Sequence, residues 1–140
     1  MNLDSEPIRR VRQVSEWLAI VADAVEDAIV GKDLDGIVIF WSRAAEALFG
    51  YAAEEMIGQP IARIIPPDRL DEEASILERV RGGEKLAHFE TVRRRKDGTI
   101  IPVTLAISPI RNEHGQIVGI CKVARDISNI TRARRVATER

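Results

Sequence analysis

The sequence predicts an α+β fold, in which one antiparallel sheet carries helices gathered on one face. Two short strands are expected early, within residues 28–41, and three strands joined by tight turns are expected late, within residues 89–124. Between the two groups lie helices that are broken by glycines. Because such short helices are unstable alone, they need a sheet to pack on.

The composition is that of one globular domain, with 140 residues, 45% hydrophobic and 31% charged. A net charge of -1 gives no general attraction to nucleic acid or to an anionic membrane, so neither is expected as a partner. Cys121 is the only cysteine, which excludes an intrachain disulfide and favours a reducing compartment. The sequence contains neither an apolar run of membrane-spanning length nor a signal-peptide pattern. We therefore expect a cytoplasmic protein, or the cytoplasmic part of a longer one.

Residues 1–27 predict a long amphipathic helix with a narrow apolar seam. Ser5 followed by Pro7 is typical of a helix start. The seam is compatible with docking on the protein's own sheet, with a helix–helix contact in a homodimer, or with both. Its members recur at intervals of three and four residues: Val11, Val14, Leu18, Val21 and Val25.

The segment 35–66 predicts a strand followed by several short helices. Residues 37–41 are β-branched or aromatic, as in a buried strand, and a second strand is expected just before them at residues 28–32. Ser42 is placed to cap a helix that Gly50 ends. The further elements expected here are a short helix over residues 53–57, ended by Gly58, and one helical turn over residues 61–65.

A longer helix is expected to begin at Asp68 as its cap and to close at Gly82 and Gly83. Acidic side chains of the helices and turns are expected to be solvated. The face predicted to be buried consists of Leu70, Ala74, Leu77 and Val80.

The second half predicts three strands linked by hairpins and a final helix. Residues 103–108 alternate between apolar and small or polar side chains, which is typical of a half-buried antiparallel strand. The Asp97-Gly98 pair favours a tight turn before it. The basic run Arg93–Lys96 lies at that hairpin tip without flanking aromatics, so it is interpreted as a solvated turn rather than a nucleic-acid surface. The flanking elements expected are strands over residues 89–95 and 117–124 and a helix over residues 126–140.

From residue 28 to residue 128 the sequence resembles the PAS domain, a sensory module of bacterial signalling proteins, and in particular the PAS sensor domains of histidine kinases. This gives residues 1–27 as a capping or dimerisation helix and residues 129–140 as the start of a signalling helix. The resemblance is carried, in order, by Asp35-Gly36, by Trp41-Ser42-Arg43-Ala44-Ala45-Glu46, by Leu48-Phe49-Gly50-Tyr51, by Glu54-Glu55 with Ile57-Gly58, by Phe89-Glu90-Thr91, by Arg94-Arg95-Lys96-Asp97-Gly98, and by Arg125-Asp126-Ile127-Ser128.

The resemblance implies a five-stranded antiparallel sheet that cups a small pocket against the short helices. It also implies a module without catalysis of its own, with an effector domain in the same chain, such as a histidine kinase. A diguanylate cyclase or a transcription regulator is the alternative effector. The resemblance does not identify a ligand.

Strand alternation predicts that Val103, Leu105 and Ile107 face the core. Strand alternation puts Lys122 on the same face of the last strand as its apolar neighbours two positions away. It is interpreted either as the mark of an anionic ligand or as an exposed or edge-snorkelling lysine. The mostly aliphatic lining suits a small apolar ligand or a filled core. By analogy with ligand-binding PAS domains, the remaining pocket residues are Met56, Ile61, Ile64, Leu77, Phe89, Thr91, Ile120 and Ala124.

Familiar cofactors are disfavoured. The helix at residues 69–77 has no histidine to hold a haem iron; the position that aligns with such a histidine falls near Glu72. Residues 56–65 contain no cysteine for a light-driven flavin adduct, although non-covalent flavin, and with it a redox or light sensor, stays open. His88, His114 and Cys121 lack metal-ligand spacing, so no metal site and no catalytic set are expected.

The junction between the last strand and the final helix is expected to couple the sheet to the output. Asp126 is placed to accept backbone N–H groups at the start of that helix, and Arg125 or another basic residue is a candidate to brace it. The residues assigned to coupling are Arg125, Asp126, Ile127 and Ser128.

Overall fold

A computed structural model of the chain describes residues 20–21 and 25–139. The strands and helices follow one another in the order that the sequence predicts. In chain order they are β1 (Ala28–Asp33), β2 (Val38–Trp41), α1 (Arg43–Phe49), α2 (Ala53–Met56), two 3-10 turns (Ile61–Ile64 and Pro67–Arg69), α3 (Leu70–Arg81), β3 (Leu86–Arg94), β4 (Ile100–Arg111), β5 (Ile117–Asp126) and α4 (Ser128–Glu139).

The five strands form one antiparallel sheet in the spatial order β2-β1-β5-β4-β3. The early and late groups of strands therefore join through the β1–β5 pair, in which Val30 lies opposite Lys122. We call the sheet face that α3 covers the inner face. The α+β prediction, with five antiparallel strands, is confirmed.

Helix α1 begins and ends as predicted. The Ser42 hydroxyl oxygen accepts a hydrogen bond from the Ala45 N–H (3.2 Å) and another from the Ile29 N–H of β1 (2.9 Å). Ser42 thus caps the helix and also ties it to the sheet. Gly50 ends the helix with φ 81°, a left-handed conformation that glycine adopts without strain.

The sequence interpretation of α3 is wrong on two points. Asp68 lies in a 3-10 turn, and Leu70 begins the helix without a side-chain cap. The buried face consists of Glu73, Ile76 and Val80, whereas Leu70 and Ala74 are exposed. The helix is rotated relative to the prediction because Glu73 is drawn inward by charges on the sheet.

Several predicted boundaries move by two or three residues. Strand β3 begins at Leu86, and a bulge between Leu86 and Phe89 places His88 at φ 56°. The last strand continues to Asp126, so α4 begins at Ser128 rather than at residue 126.

The predicted N-terminal seam falls largely outside the described residues. Val11, Val14 and Leu18 belong to that part of the chain. Val21 and Val25 are described and are exposed. The dimer contact assigned to these five residues stays a prediction.

Candidate functional site

The twelve residues predicted to line a pocket belong to the interior of the fold. Leu77 and Phe89 are half-buried and pack against the core. Contact with a ligand stays a prediction for all twelve. The buried members are Met56, Ile61, Ile64, Thr91, Val103, Leu105, Ile107, Ile120, Lys122 and Ala124.

Lys122 is buried and paired, so the interpretation of an exposed or snorkelling lysine is wrong. The residue is 5% exposed and lies on the inner face of β5. Its Nζ donates hydrogen bonds to Glu73 Oε1 at 2.5 Å and to Glu73 Oε2 at 2.6 Å. A buried ammonium therefore meets a carboxylate supplied by α3.

A second lysine shares the same carboxylate. Lys32 of β1 is 1% exposed and donates a hydrogen bond to Glu73 Oε1. It lies opposite Ile120 in the β1–β5 register. Glu73 therefore joins the two strands at the centre of the sheet.

A third cation enters from β3, at the beginning of the basic run that was interpreted as a solvated turn. Arg93 is 2% exposed, so that interpretation is wrong for this residue. Its Nη1 lies 3.4 Å from Glu72 Oε1 and donates to the Val92 carbonyl oxygen at 2.7 Å. The Thr91 hydroxyl donates to Glu72 Oε1 at 2.7 Å. We call Lys32, Glu72, Glu73, Arg93 and Lys122 the ion cluster.

Burial and the charges of the ion cluster shift the pKa values of Glu73 and Lys122. Burial alone would raise the pKa of Glu73, but the ammonium groups of Lys122 and Lys32 outweigh burial and lower this pKa to about 2. Burial lowers the pKa of Lys122 to about 7; Glu73 opposes this shift, while Lys32 and Arg93 add to it. The two pKa shifts are consistent with each other. Glu73 has two ammonium partners, so its charged form is well stabilised, whereas Lys122 shares that carboxylate with Lys32 and its charge is only partly compensated.

Sequence reasoning identified only Lys122 and Thr91 among these polar residues, although signals for the others exist. Lys32 shares strand parity with the buried residues Ala28 and Val30. Glu73 lies three and seven residues before Ile76 and Val80, which is helical spacing. Charged residues are usually exposed to solvent, and the sequence interpretation followed this rule. Here the charged side chains are buried because they pair with residues of distant elements.

The residues around Glu72 do not fit a haem ligand. Glu72 is the position near which the sequence would align an iron-binding histidine, and both of its carboxylate oxygens accept from Thr91 Oγ1. Within the described ranges, no group of His, Cys, Asp or Glu is arranged to hold a metal ion. His88 and His114 are exposed, on a bulge and in a turn.

The strand-to-helix junction is fixed by short-range hydrogen bonds. Asp126 Oδ1 accepts from the Ser128 N–H at 2.8 Å and from the Ser128 hydroxyl at 2.5 Å. Ile127 is buried, and its N–H donates to the Pro102 carbonyl oxygen of β4 at 3.0 Å. The first residues of α4 are therefore attached to two strands of the sheet.

Two ion pairs lie near this junction. Arg125 pairs with Asp27 just before β1, with the Nη2–Oδ2 distance at 3.0 Å. Arg134, on α4, lies with Nη1 3.1 Å from Glu90 Oε2 on β3. Arg125 therefore does not brace Asp126, as the sequence suggested; it joins the end of β5 to the residue before the neighbouring strand β1.

A cavity of about 250 Å³ lies beside the β3 bulge. Of the residues predicted to line a pocket, only Leu105 lines this cavity. Its lining consists of Asp27, Ala87, His88, Thr104, Leu105, Ala106, Val123 and Arg125.

No helix within residues 20–21 and 25–139 has the length and apolar character needed to cross a membrane.

The sequence profile of the PAS fold matches residues 16–127, which is most of the chain. The crystal structure of a PAS domain from Colwellia psychrerythraea superposes with a TM-score of 0.73 at 33% identity, covering 83% of this chain and 98% of that one. The chain belongs to the PAS family.

Two relatives carry the names of signalling proteins. Two-component system protein A of Emericella nidulans is 34% identical over 130 residues, which cover 91% of this chain and 19% of the relative. The signal transduction histidine-protein kinase AtoS of Escherichia coli is 23% identical over 128 residues, covering 91% and 20%. The chain therefore spans about one fifth of the length of these relatives.

Proposed function

We propose that this chain is the sensory and regulatory module of a multidomain signal-transduction protein, with a sensor histidine kinase as the parent. The names of its two relatives, a two-component system protein and a histidine-protein kinase, support this class. The module itself is non-catalytic, and the effector domain lies in the same chain. The single Cys121 favours a reducing compartment, which supports the cytoplasm as the proposed location.

The observation that carries the proposal is the continuous connection from the inner face to α4. Lys122 and Asp126 lie on the same strand, β5, four residues apart. Asp126 caps the start of α4, and Ile127 is held by β4. A change around Lys122 that shifts β5 against β4 therefore moves the first turn of the output helix.

The test uses the chain fused through a helical linker to a reporter kinase. Lys122→Met serves as a fixed perturbation of the inner face. We expect it to change kinase activity several-fold in the wild-type background and to have no effect when Asp126→Ala is also present. The matched control for Asp126→Ala is Asp68→Ala, which removes an exposed aspartate that forms no side-chain cap. In the Asp68→Ala background, Lys122→Met should keep its effect. An equal Lys122→Met effect in the Asp126→Ala background would refute the coupling.

We also propose that the module acts as a homodimer through the seam predicted in residues 11–25. Replacing both Val14 and Leu18 by glutamate should give a monomer by light scattering while the sheet still folds. The control places the same two charges at Ile39 and Val118, which are exposed on β2 and β5. If the control pair gives the monomer and the seam pair stays dimeric, the contact lies on the sheet instead.

No coloured cofactor is expected in the purified protein. The position that aligns with a haem-binding histidine falls near Glu72, and residues 56–65 offer no cysteine for a flavin adduct. Visible absorption that co-purifies with the chain would favour the alternative, a module that carries non-covalent flavin as a redox or light sensor.

A further inference from the structure

The ion cluster holds more cations than carboxylates in its buried part. Lys32, Lys122 and Arg93 are each at most 5% exposed, and they face the carboxylates of Glu72 and Glu73. If every group is ionised, one positive charge lacks a negative partner, which is costly in a low-dielectric interior. The departure of one proton to the solvent would remove this excess.

The two carboxylate oxygens of Glu73 are held differently. Oε1 accepts hydrogen bonds from both Lys32 and Lys122. Among the described residues, Oε2 accepts only from Lys122, at 2.6 Å. Oε2 also lies 3.6 Å from Nη2 of Arg93, a buried N–H group without a hydrogen-bond partner in the described part of the chain. This oxygen therefore has one donor that it accepts from and a second, unsatisfied donor just beyond hydrogen-bonding distance.

Charged groups from three elements act on Lys122. Glu73 approaches from α3, Lys32 from β1 and Arg93 from β3, whereas β4 places the apolar Ile107 opposite Lys122. Burial lowers the pKa of Lys122 to about 7; Lys32 and Arg93 add to this shift, and Glu73 opposes it. The fraction of Lys122 that is protonated should therefore fall from about nine tenths at pH 6 to about one tenth at pH 8.

The other groups of the cluster keep their charge state over this range. A guanidinium such as that of Arg93 stays protonated, and Glu73 stays ionised because its pKa is about 2. Glu72 is bonded to Thr91 through both oxygens. A neutral Lys122 keeps two N–H groups but loses the charge that makes its bond to Glu73 strong. Arg93 is then the stronger donor for Oε2.

We propose that the ion cluster is a proton-responsive switch: when Lys122 releases its proton to the solvent, Glu73 Oε2 moves from Lys122 to Arg93 Nη2, while Oε1 stays bonded to Lys32. The movement is small, because shortening 3.6 Å to a hydrogen bond takes less than about 1 Å. The exchange gives the unsatisfied Arg93 donor an acceptor and removes the excess charge in one step.

The exchange changes which strand holds α3 most strongly, and both strands involved hold α4. Lys122 lies on β5, whose last residue Asp126 caps α4. Arg93 lies on β3, which contacts α4 through the pair of Glu90 and Arg134. The charge state of Lys122 therefore alters the forces on the output helix, and in this respect the inference rests on the proposed function.

The first experiment follows the switch by NMR in the 140-residue chain, without an effector. The Cε signal of Lys122, assigned by its loss in Lys122→Met, should titrate with a midpoint near pH 7. A scalar coupling across the hydrogen bond between Arg93 Nη2 and the Glu73 carboxylate carbon should be present at pH 8 and absent at pH 6. In Lys122→Met, which is permanently neutral, the coupling should be present at both values. Lys85→Met, at an exposed lysine, should behave as wild type.

Two results would overturn the proposal: a Lys122 signal that does not titrate between pH 6 and pH 8, or a titration after which the coupling between Arg93 and Glu73 is still absent. If Lys122→Met does not fold, the wild-type chain decides alone. The coupling that appears with the Lys122 midpoint supports the exchange, and a coupling that is the same at both pH values refutes it.

The second experiment measures the output in the fusion to the reporter kinase, with activity divided by that of the Lys122→Met fusion at the same pH. This ratio should change several-fold between pH 6 and pH 8 and approach unity at pH 8, and it should not vary with pH when both fusions carry Asp126→Ala. The NMR exchange together with a constant ratio in the wild-type background would refute only the proposed function. A ratio that varies with pH without the exchange would refute only this switch.

Discussion

At the scale of single residues, the charge balance of the interior depends on Glu73. Its carboxylate is the shared acceptor of Lys32 and Lys122, which come from different strands. Burying an ion is costly unless a partner and hydrogen bonds compensate it. Removing this one negative charge would leave two buried ammonium groups facing each other.

We expect Glu73→Gln to lower the free energy of unfolding by about 3–5 kcal/mol, the usual cost of breaking a buried ion pair from one side. Urea denaturation at neutral pH measures it. The matched control is Glu78→Gln, the same change at an exposed position of the same helix, with an expected effect within about 0.5 kcal/mol. Equal small losses in both variants would mean that the cluster contributes little to stability.

Lys122 should make stability rise with pH. Its pKa of about 7 in the folded state lies below the ordinary value of 10.5, so between these values the unfolded chain binds more protons. The free energy of unfolding should therefore increase by about 2 kcal/mol from pH 7 to pH 9 through this group. Urea denaturation of Lys122→Met should lack this increment, and Lys85→Met should keep it. If the free energy of unfolding depended on pH in the same way in wild type and in Lys122→Met, the lowered pKa of Lys122 in the folded state would be contradicted.

Part of this site was predictable from the sequence. The alternation of β5 gave a buried Lys122 as one of two interpretations, beside an exposed or snorkelling lysine, and Thr91 was assigned to the pocket. Glu73 and Arg93 were not found, because a charged residue is normally solvated and only the folded chain brings four elements together around them. Pairing across 49 positions of sequence, as between Glu73 and Lys122, leaves no local pattern.

At the scale of elements, the β1–β5 pair holds the two halves of the chain together. Gly119 lies opposite Asp33 in this pair, immediately beside the cluster residue Lys32. A Cβ atom at position 119 would lie 2.7 Å from the backbone carbonyl oxygen of Lys32. The two strands can approach this closely only because residue 119 has no side chain.

Gly119→Ala should therefore lower the free energy of unfolding by about 1–3 kcal/mol, as overpacking usually does. Thermal or urea denaturation measures it. The control Gly82→Ala has room, with a Cβ 3.4 Å from the Arg79 carbonyl oxygen, and φ -79° suits alanine. That variant should be neutral or slightly more stable. A Gly119→Ala protein as stable as the control would show that β1 moves away from β5 without cost.

The elements themselves were largely readable from the sequence. Alternation in β4 and the turn at Asp97-Gly98 are local signals, and they placed the strands to within a few residues. The buried face of α3 was not readable, because its apolar residues allow two rotations about the helix axis. The choice between them is made by the lysines of β1 and β5.

At the scale of the whole molecule, the ion cluster and the output helix belong to one connected structure. Helix α4 is attached to the sheet at Asp126 and Ile127, and Arg134 reaches back to Glu90 on β3. The central claim is that this helix transmits rotation or tilt from the sheet to an effector. We propose that, in a dimer, two such helices continue as a coiled coil whose register sets the output.

The most direct measurement of this claim is kinase activity in a series of fusions to a reporter kinase, with the linker after residue 140 lengthened one residue at a time. Helical transmission predicts activity that rises and falls with a period of about seven residues, because each insertion rotates the effector about the helix axis. Asp126→Ala should flatten the oscillation, and Asp68→Ala should leave it unchanged. Activity that declines smoothly with linker length, alike in all three series, would contradict the account and make α4 a passive tether.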